Sequence, residues 1–440
     1  MVILQGAIRA HGCESSTESV NRFKYARIPS LDYLACMWLT IFAACSSSAP
    51  TKPPHIARRN VLLVVVDTLR SDAIAGAQTP ELDHLKKSAD SVDTAWSSST
   101  WTVPSMISMF TGMPVRQHGW SREPGNVNAF PSIPPAPLLA EVLKKKGYGT
   151  TALYANDFLA PSLGFSRGFD SYDKIVDRQA PKRVAEAVAE WGPDQPEFLY
   201  VHLLGPHSPL LPSEAARSRH GVDSAWFEAH RLGFLIGAAK RNREPGVRDA
   251  YRDGYYAVVE DTDARIGEIL DALGEHRQDT LIVLTSDHGE LLGEHEVFGH
   301  GWWVYEPLAH VPLIVEGGVP LPETLSGASV PAIITESLHL EHRWPTAYDA
   351  PLLVTQRKDK LAISVNGREK AIWDGSDAEL FDLESDPGEL SGSPVSEALV
   401  QARAAFEART PAGRYSEDQV QLHQDTTEAL QSLGYLGGPE

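Results

Sequence analysis

Two segments of this chain each join an apolar run to residue types that bind metal ions. Residues 61–66 are apolar and rich in β-branched side chains, and Asp67 follows them; residues 281–284 lead in the same way to Asp287 and His288. Such runs are typical of strands buried on both faces. Because ligands collect beyond the carboxyl ends of strands in open α/β sheets, these three side chains would meet if the two strands are neighbours. Two carboxylates and an imidazole can hold a divalent cation and leave positions open for a substrate.

A third segment, residues 99–119, places a hydroxyl group at the start of a predicted helix. Pro104 suits the first turn of a helix, and Thr102 comes just before it, where backbone amides and the positive end of the helix dipole converge. A hydroxyl in that position could act as a metal-activated nucleophile. The alternative is an ordinary N-cap threonine, and this segment taken alone favours that alternative.

The elements that position these residues alternate between strand and helix. Short helices are predicted at 79–87 and 136–146. A longer helix at 248–273 leads directly into the apolar strand at 281–284. Further strands are predicted at 150–154 and 198–204. This alternation predicts an α/β domain.

The pattern changes after the apolar run at 311–315. Shorter segments with strand character follow, and a helical stretch extends from 395 to 409. These features predict a small antiparallel sheet with a packed helix, whose strands are expected at 360–365, 370–373 and 379–383.

Composition narrows the classes of partner. The chain has 440 residues and a formal net charge of -19, so a nucleic-acid partner, which requires basic patches, is not expected. An anionic substrate remains compatible with this charge, because a bound metal and local His or Arg side chains can reverse the field within one cleft.

The N-terminal region has the features of an export signal. The apolar stretch at 33–44 is too short for a transmembrane helix but suits a signal-peptide core. Small residues precede Cys45, as in bacterial lipoprotein signals whose cysteine is lipidated. We therefore expect an exported protein of the cell envelope, facing the periplasm or exterior and attached to the membrane by an N-terminal lipid anchor. An uncleaved apolar anchor or a buried helix are the alternatives.

Taken together, these segments resemble the sulfatase family of the alkaline phosphatase superfamily, over nearly all of residues 60–440. The motifs that carry the resemblance are Asp67-Thr68-Leu-Arg70-Ser-Asp72, Thr102-Val-Pro104-Ser105, His202 with Pro206-His207, Ser286-Asp287-His288-Gly289-Glu290, Phe298-Gly299-His300-Gly301 and Val311-Pro312-Leu-Ile. The resemblance implies a three-layer α/β/α sandwich with a smaller C-terminal antiparallel-sheet subdomain. The expected organisation is a signal peptide at 1–45, a linker at 46–59, a catalytic domain at 60–320 and a C-terminal subdomain with a terminal helix at 321–440.

The resemblance also implies roles for individual residues. One divalent ion (Mn²⁺, Mg²⁺ or Ca²⁺) would be held by Asp67, Asp287, His288 and Thr102, the last of which would also be the nucleophile. Four further residues would surround the transferred anion or protonate the leaving group, namely Arg70, His202, His207 and His300. The alternatives are a structural ion pair for the arginine and an ordinary loop position for His207.

Departures from the family pattern bear on the chemistry. Sulfatases proper carry a cysteine or serine at position 102, which is converted to formylglycine, and threonine cannot form that aldehyde. Met106 replaces an arginine that contacts the anion, and Thr68 replaces a second metal-binding aspartate, which favours a single ion. The resemblance is therefore closer to threonine-dependent relatives that move phosphoglycerol or phosphoethanolamine groups.

Three functional hypotheses follow from the sequence. The first is a metal-dependent hydrolase of sulfate or phosphate esters that uses a threonine nucleophile. The second is a transferase, in which a lipid or glycan hydroxyl replaces water as the acceptor. The third is a metal-stabilised binding module without catalysis, which the loss of the arginine at position 106 would allow.

Overall fold

The structure is a computed structural model that describes residues 59–120, 129–222, 246–344, 352–413, 419–421 and 424–432. Residues 57–440 form one compact unit. The predicted signal peptide, with Cys45, and all but the last residue of the predicted linker lie outside the described residues. Within the described ranges, no helix combines the length and the apolar character needed to cross a membrane.

Strands and helices alternate through the first two thirds of the chain, as the sequence predicts. The strands are β1 (Asn60–Val66), β2 (Asp90–Trp96), β3 (Ala129–Pro131), β4 (Gly149–Tyr154), β5 (Ser171–Lys174), β6 (Glu197–Leu203), β7 (Thr280–Ser286), β8 (Leu291–Leu292), β9 (Phe298–Gly299), β10 (His310–Glu316), β11 (Thr324–Ser326), β12 (Leu353–Arg357), β13 (Lys360–Ser364), β14 (Glu369–Asp374), β15 (Asp377–Asp382) and β16 (Gln419–Gln421). The helices are α1 (Ser71–Gly76), α2 (Pro80–Ser88), α3 (Thr102–Thr111), α4 (Val115–His118), α5 (Leu139–Lys145), α6 (Ala180–Val188), α7 (Glu214–His220), α8 (Val247–Asp271), α9 (Glu306–Ala309), α10 (Val330–Ser337), α11 (Glu397–Arg409) and α12 (Gln424–Ser432).

The main sheet has eight strands in the order β11-β2-β10-β7-β1-β6-β4-β5. The strands from β7 to β5 run parallel, whereas β10 is antiparallel to both of its neighbours, so the sheet is mixed. At the end of β1, Val66 lies opposite Ser286 of β7 and Leu203 of β6. The residues that follow these three strands therefore meet at one edge of the sheet.

Both faces of the sheet are covered, which is why the central strands are continuously apolar. Alternate residues of β1 belong to different cores: Val61, Leu63 and Val65 pack on the side of α3, α5 and α10. The intervening residues pack on the side of α2, α6 and α8. This arrangement confirms the predicted three-layer α/β/α sandwich, because a strand with helices on both sides buries every side chain.

A second, four-stranded antiparallel sheet follows in the order β12-β13-β14-β15. Its apolar face includes Ile363 and Trp373 and packs against Leu399 and Phe406 of α11. The predicted C-terminal antiparallel sheet is therefore present. The predicted domain boundary after residue 320 falls before β11, which pairs with β2, and before α10, which packs in the main core.

Candidate active site

The three predicted metal ligands lie together at the carboxyl edge of the main sheet. Asp67 follows β1, and Asp287 and His288 follow the adjacent strand β7. Each residue offers one ligand atom, and these atoms all lie within 4.8 Å of one another. All three residues are fully buried. Parallel pairing of two neighbouring strands is what brings residues so distant in sequence to one point.

The donor atoms fit a divalent cation. Asp67 Oδ1 and Asp287 Oδ2 are buried and have no hydrogen-bond partner within the part of the chain that the structure describes, an arrangement that is costly unless a cation compensates it. His288 Nδ1 lies 2.9 Å from the carbonyl oxygen of Gly289 and would donate to it, which leaves the Nε2 lone pair for a metal. Carboxylate oxygens with one imidazole suit Mn²⁺, Mg²⁺ or Ca²⁺.

The electrostatics of the cluster point the same way. Burial, followed by the charge of Asp287, raises the pKa of Asp67 well above its ordinary value. Burial also raises the pKa of Asp287 to about 7. Burial and the neighbouring His300 lower the pKa of His288 well below its usual range, so this ring is neutral. Two carboxylates that repel each other beside a neutral imidazole would be stabilised by a bound cation.

The orientation of Asp287 is fixed by the backbone around it. Its Oδ1 atom accepts hydrogen bonds from the backbone N–H groups of His288, at 2.8 Å, and Thr68, at 3.2 Å. Thr68 has a φ of 56°, a strained value for a β-branched residue, and its carbonyl accepts a hydrogen bond of 2.7 Å from the Tyr255 hydroxyl. The strained turn therefore directs an N–H group at Oδ1 of Asp287, and Oδ2 is left without a hydrogen-bond partner in the described ranges.

Thr102 lies at this cluster. Its Oγ1 atom is 3.3 Å from Nε2 of His288, although the two residues are 186 positions apart, and its side chain is fully buried. The N-cap of α3 is Trp101, so Thr102 occupies the first turn of the helix. This arrangement differs from the alternative of an N-cap threonine. The hydroxyl instead faces the group of residues that would hold a cation.

His202 extends from β6 toward the same point. It lies opposite Val65 of β1, and its Nε2 atom is 3.9 Å from Oδ2 of Asp67. Burial lowers its pKa to about 3, and neither ring nitrogen has a hydrogen-bond partner among the described residues. A buried neutral histidine with two unpaired nitrogens is suited to contact a ligand.

His207 and His300 form a further layer on the cluster. The ring centroids of His300 and His288 are 4.5 Å apart, and those of His207 and His300 are 5.1 Å apart. His207 is buried, which differs from the alternative of an ordinary loop residue. Burial and the neighbouring His300 lower its pKa well below its usual range. The structure therefore groups all four predicted histidines around Asp67 and Asp287.

Arg70 has acidic partners of its own. Its guanidinium forms ion pairs of 2.6 Å with Asp72 and 2.7 Å with Glu294, and it donates to the carbonyl oxygen of Glu290 at 3.0 Å. Its positive charge is thus balanced by two carboxylates. This arrangement favours the structural ion pair over the predicted contact with the transferred anion.

Two residues of the site received no role from the sequence. Glu290 is buried and lies 3.2 Å from Nδ1 of His300. Asn156 donates a hydrogen bond of 2.6 Å from Nδ2 to Oδ2 of Asp67. Asn156 comes two residues after β4, so the rule that ligands collect beyond strand ends could have indicated it. Glu290 is the last residue of the motif that contains Asp287 and His288, but its contact with His300 depends on the fold of the loop between them.

Comparisons with known proteins agree with this geometry. The family model described as Sulfatase matches residues 59–318, more than half of the chain. The arylsulfatase K of Canis lupus familiaris is 24% identical over 458 residues, covering 81% of this chain and 84% of that protein. The low-salt glycan biosynthesis sulfotransferase Agl7 of Haloferax volcanii is 27% identical over 285 residues, covering 61% and 57%.

The fold of this chain is also similar to that of a solved structure. The crystal structure of the phosphonate monoester hydrolase of Agrobacterium radiobacter matches with a TM-score of 0.63 and 17% identity, covering 80% of this chain and 94% of that one. The family match makes this protein an ester-hydrolysing enzyme of the sulfuric ester hydrolase type. By the match over residues 59–318, this chain belongs to the sulfatase family.

Proposed function

We propose that the protein is a metal-dependent hydrolase of sulfate or phosphate esters in which Thr102 is the nucleophile. The observation that carries the proposal is the distance of 3.3 Å between Thr102 Oγ1 and His288 Nε2. It places a hydroxyl beside two buried carboxylates, each with one oxygen that accepts no hydrogen bond from any residue the structure describes. Asp67, Asp287 and His288 would hold one Mn²⁺, Mg²⁺ or Ca²⁺ ion. When bound, such an ion supplies Lewis acidity and lowers the pKa of a coordinated hydroxyl.

The first half of the reaction transfers the sulfuryl or phosphoryl group to the protein. Thr102 Oγ1 gives its proton to solvent water and attacks sulfur or phosphorus in line with the leaving oxygen. The bond to the leaving oxygen breaks as the bond to Oγ1 forms. His300 donates a proton to that oxygen, and the carboxylate of Glu290 at its Nδ1 orients the ring.

The second half releases the product. Water attacks the covalent threonyl ester, and His300, now neutral, accepts a proton from that water. The bond to Oγ1 breaks, Oγ1 takes up a proton from solvent water, and sulfate or phosphate leaves. The buried neutral side chains of His202 and His207 exclude water from the site. Hydrogen bonds to the anion are stronger in such an environment of low dielectric constant.

A transferase is the second candidate. In this reaction a lipid or glycan hydroxyl would attack the threonyl ester in place of water. The resemblance to a protein described as a sulfotransferase supports it, at 27% identity. Family membership makes the third hypothesis, a binding module without catalysis, the weakest of the three.

The nucleophile can be tested with Thr102→Ala and the matched variant Thr102→Ser. With added Mn²⁺, we expect Thr102→Ala to lose at least about a thousandfold in turnover of an aryl sulfate or aryl phosphodiester, because no bond to the protein can form. Thr102→Ser keeps a hydroxyl and should retain measurable turnover. Normal turnover by Thr102→Ala would refute the assignment.

Trapping the intermediate separates the two reactions. A substrate labelled with ³⁵S or ³²P, quenched in acid, should leave the label on the peptide that contains Thr102. A hydrolase then releases the label as inorganic anion in water alone. A transferase releases it only after a glycan or lipid alcohol is added. Label on a different peptide would contradict the mechanism.

We also propose export and lipidation at Cys45, on the pattern of the N-terminal segment. Expression in a bacterial host with a radiolabelled fatty acid should label the wild-type protein. The variant Cys45→Ser should carry no label and should be released from the membrane fraction. Equal membrane retention of both proteins would instead favour an uncleaved apolar anchor.

A further inference from the structure

The small C-terminal sheet contributes no side chain to the proposed metal site, but its first strand contacts the loops on either side of that site. Arg357 is the last residue of β12 and is 8% exposed. Its Nε donates a hydrogen bond of 2.7 Å to the carbonyl oxygen of Gly301. Its guanidinium carbon lies 4.8 Å from the centroid of the Trp101 ring, a distance suited to a cation–π contact.

The two residues that Arg357 contacts are each adjacent in sequence to a proposed catalytic residue. Trp101 immediately precedes Thr102, the proposed nucleophile. Gly301 immediately follows His300, the proposed acid for the leaving group. One buried guanidinium therefore contacts both the residue before the proposed nucleophile and the residue after the proposed acid.

Neighbouring contacts join the same segments. The backbone N–H of Gln356 donates to the carbonyl oxygen of Ser98 at 2.9 Å. The Thr100 hydroxyl donates to the carbonyl oxygen of Trp303 at 2.7 Å. The loop before α3, the loop after β9 and the strand β12 thus form a continuous network, in which Arg357 is the charged member.

We propose that Arg357 is a positioning residue that sets the separation between the Thr102 hydroxyl and the His300 ring. This inference rests on the proposed function of those two residues. A guanidinium is suited to the task because its planar fork fixes the direction of the hydrogen bond to Gly301, while its flat face stacks on an aromatic ring. Removal of the fork would leave each loop free to shift separately.

The energetic consequence follows from the geometry of group transfer. Nucleophile and acid must both be aligned with the ester, and a displacement of about 1 Å can cost on the order of a hundredfold in rate. Because Arg357 does not form part of the proposed metal or anion contacts, its loss should change kcat more than KM. The effect should be largest for esters whose leaving group most needs a proton.

The test uses the full-length protein with the variants Arg357→Gln and Arg357→Lys. The matched control is Arg368→Gln, because Arg368 lies next to the same small sheet but is exposed and pairs with Asp382. Each protein is assayed with a 4-nitrophenyl ester and with an alkyl ester of the same anion. Thermal melting and hydrogen exchange of peptides spanning 99–105 and 299–304 are measured on the same samples.

For Arg357→Gln we expect kcat on the alkyl ester to fall by about ten- to a hundredfold, with a smaller loss on the 4-nitrophenyl ester and little change in KM. Hydrogen exchange should become faster in both peptides. Arg357→Lys, which keeps the charge over Trp101, should be intermediate and also serves if the glutamine variant does not fold. Arg368→Gln should behave as wild type.

Three results would overturn the inference: unchanged kcat in Arg357→Gln, equal losses on both esters without local change in exchange, or a rise in KM alone, which would indicate a substrate contact. If the wild-type protein turns over neither ester with any added metal, the proposed function fails. The exchange data then decide on the contact network alone: faster exchange in both peptides supports it, and unchanged exchange rejects it.

Discussion

The Nδ1 atom of His300 lies 3.2 Å from a carboxylate oxygen of Glu290, a buried residue two positions after His288. The pair has the geometry by which a carboxylate orients a histidine for proton transfer. Glu290 thus connects the segment that follows β7, which carries Asp287 and His288, to the proposed acid His300. This relationship gives a prediction about the leaving group.

Glu290→Gln should keep the volume of the side chain but remove its charge. We expect kcat on an alkyl ester to fall by roughly ten- to a hundredfold, a part of the usual contribution of a general acid, with a smaller effect on an aryl ester. Steady-state kinetics on the two esters measures this difference. The control is Glu296→Gln, an exposed position in the same loop. Equal losses on both esters would show that the residue does not act through His300.

Metal binding should stabilise the folded protein. An ion that binds only the native state at one hundred times its Kd adds about 2.7 kcal/mol to the free energy of unfolding. Titration with Mn²⁺ should therefore raise the melting temperature of the wild-type protein, and Asp287→Asn should abolish or weaken that rise. The control is Asp279→Asn, at an exposed position immediately before β7, the strand that leads to Asp287. An undiminished shift in Asp287→Asn would exclude this carboxylate as a ligand.

A buried ion network joins the small sheet to the main body. Lys370 is fully buried, lies 2.8 Å from Glu389 and 3.0 Å from Glu306, and has its ammonium 4.8 Å from the centroid of the Trp96 ring. Lys370→Met should cost about 3–5 kcal/mol in the free energy of unfolding, because it leaves a buried carboxylate without its partner.

The double variant Lys370→Met with Glu389→Leu should recover part of that loss, since it removes the more deeply buried of the two carboxylates that lose their partner. Urea unfolding of the single and double variants measures the difference. Removal of the exposed pair between Arg368 and Asp382 should have little effect. A double variant that is less stable than the single one would contradict this account.

Asp263 gives a prediction about pH. It accepts hydrogen bonds at 3.1 and 2.8 Å from the backbone N–H groups of Glu81 and Leu82 at the start of α2, and burial raises its pKa to about 6. The native state therefore binds this proton more tightly than the unfolded state does. Its contribution to stability must fall as the pH rises from about 4 to about 6.

Asp263→Asn removes this titration. Urea unfolding between pH 4 and pH 7 should show that the wild-type protein loses stability relative to the variant over that range. The control is Asp271→Asn, at the exposed last position of α8, the helix that also carries Asp263. If the stability of Asp263→Asn runs parallel to that of wild type from pH 4 to pH 6, the pKa shift is absent.

Local patterns were enough to predict the strands that carry the proposed ligands. Residues 61–66 and 281–284 are continuously apolar, and this pattern requires cover on both faces whatever the remainder of the chain does. The change to acid and imidazole at Asp67, Asp287 and His288 likewise marks the strand ends. The site also depends on the adjacency of β1 and β7, which the sequence could only assume and which the sheet order shows.

Contacts between distant loops were beyond the reach of such patterns. Nothing in the spacing of residues indicates that Glu290 faces His300 or that Arg357 contacts Gly301. The partners of Arg70 are a similar case, because Glu294 reaches it only through the fold of the loop after β7.

The sequence by itself determined which segments are buried strands and which chemical groups end them, because burial and periodicity are properties of neighbouring residues. Tertiary structure alone decided the order of the strands, the partner of each charged side chain and the contact of the small sheet with residues 101 and 301. These depend on how distant segments pack, and their free energies are fixed only when both partners are in place.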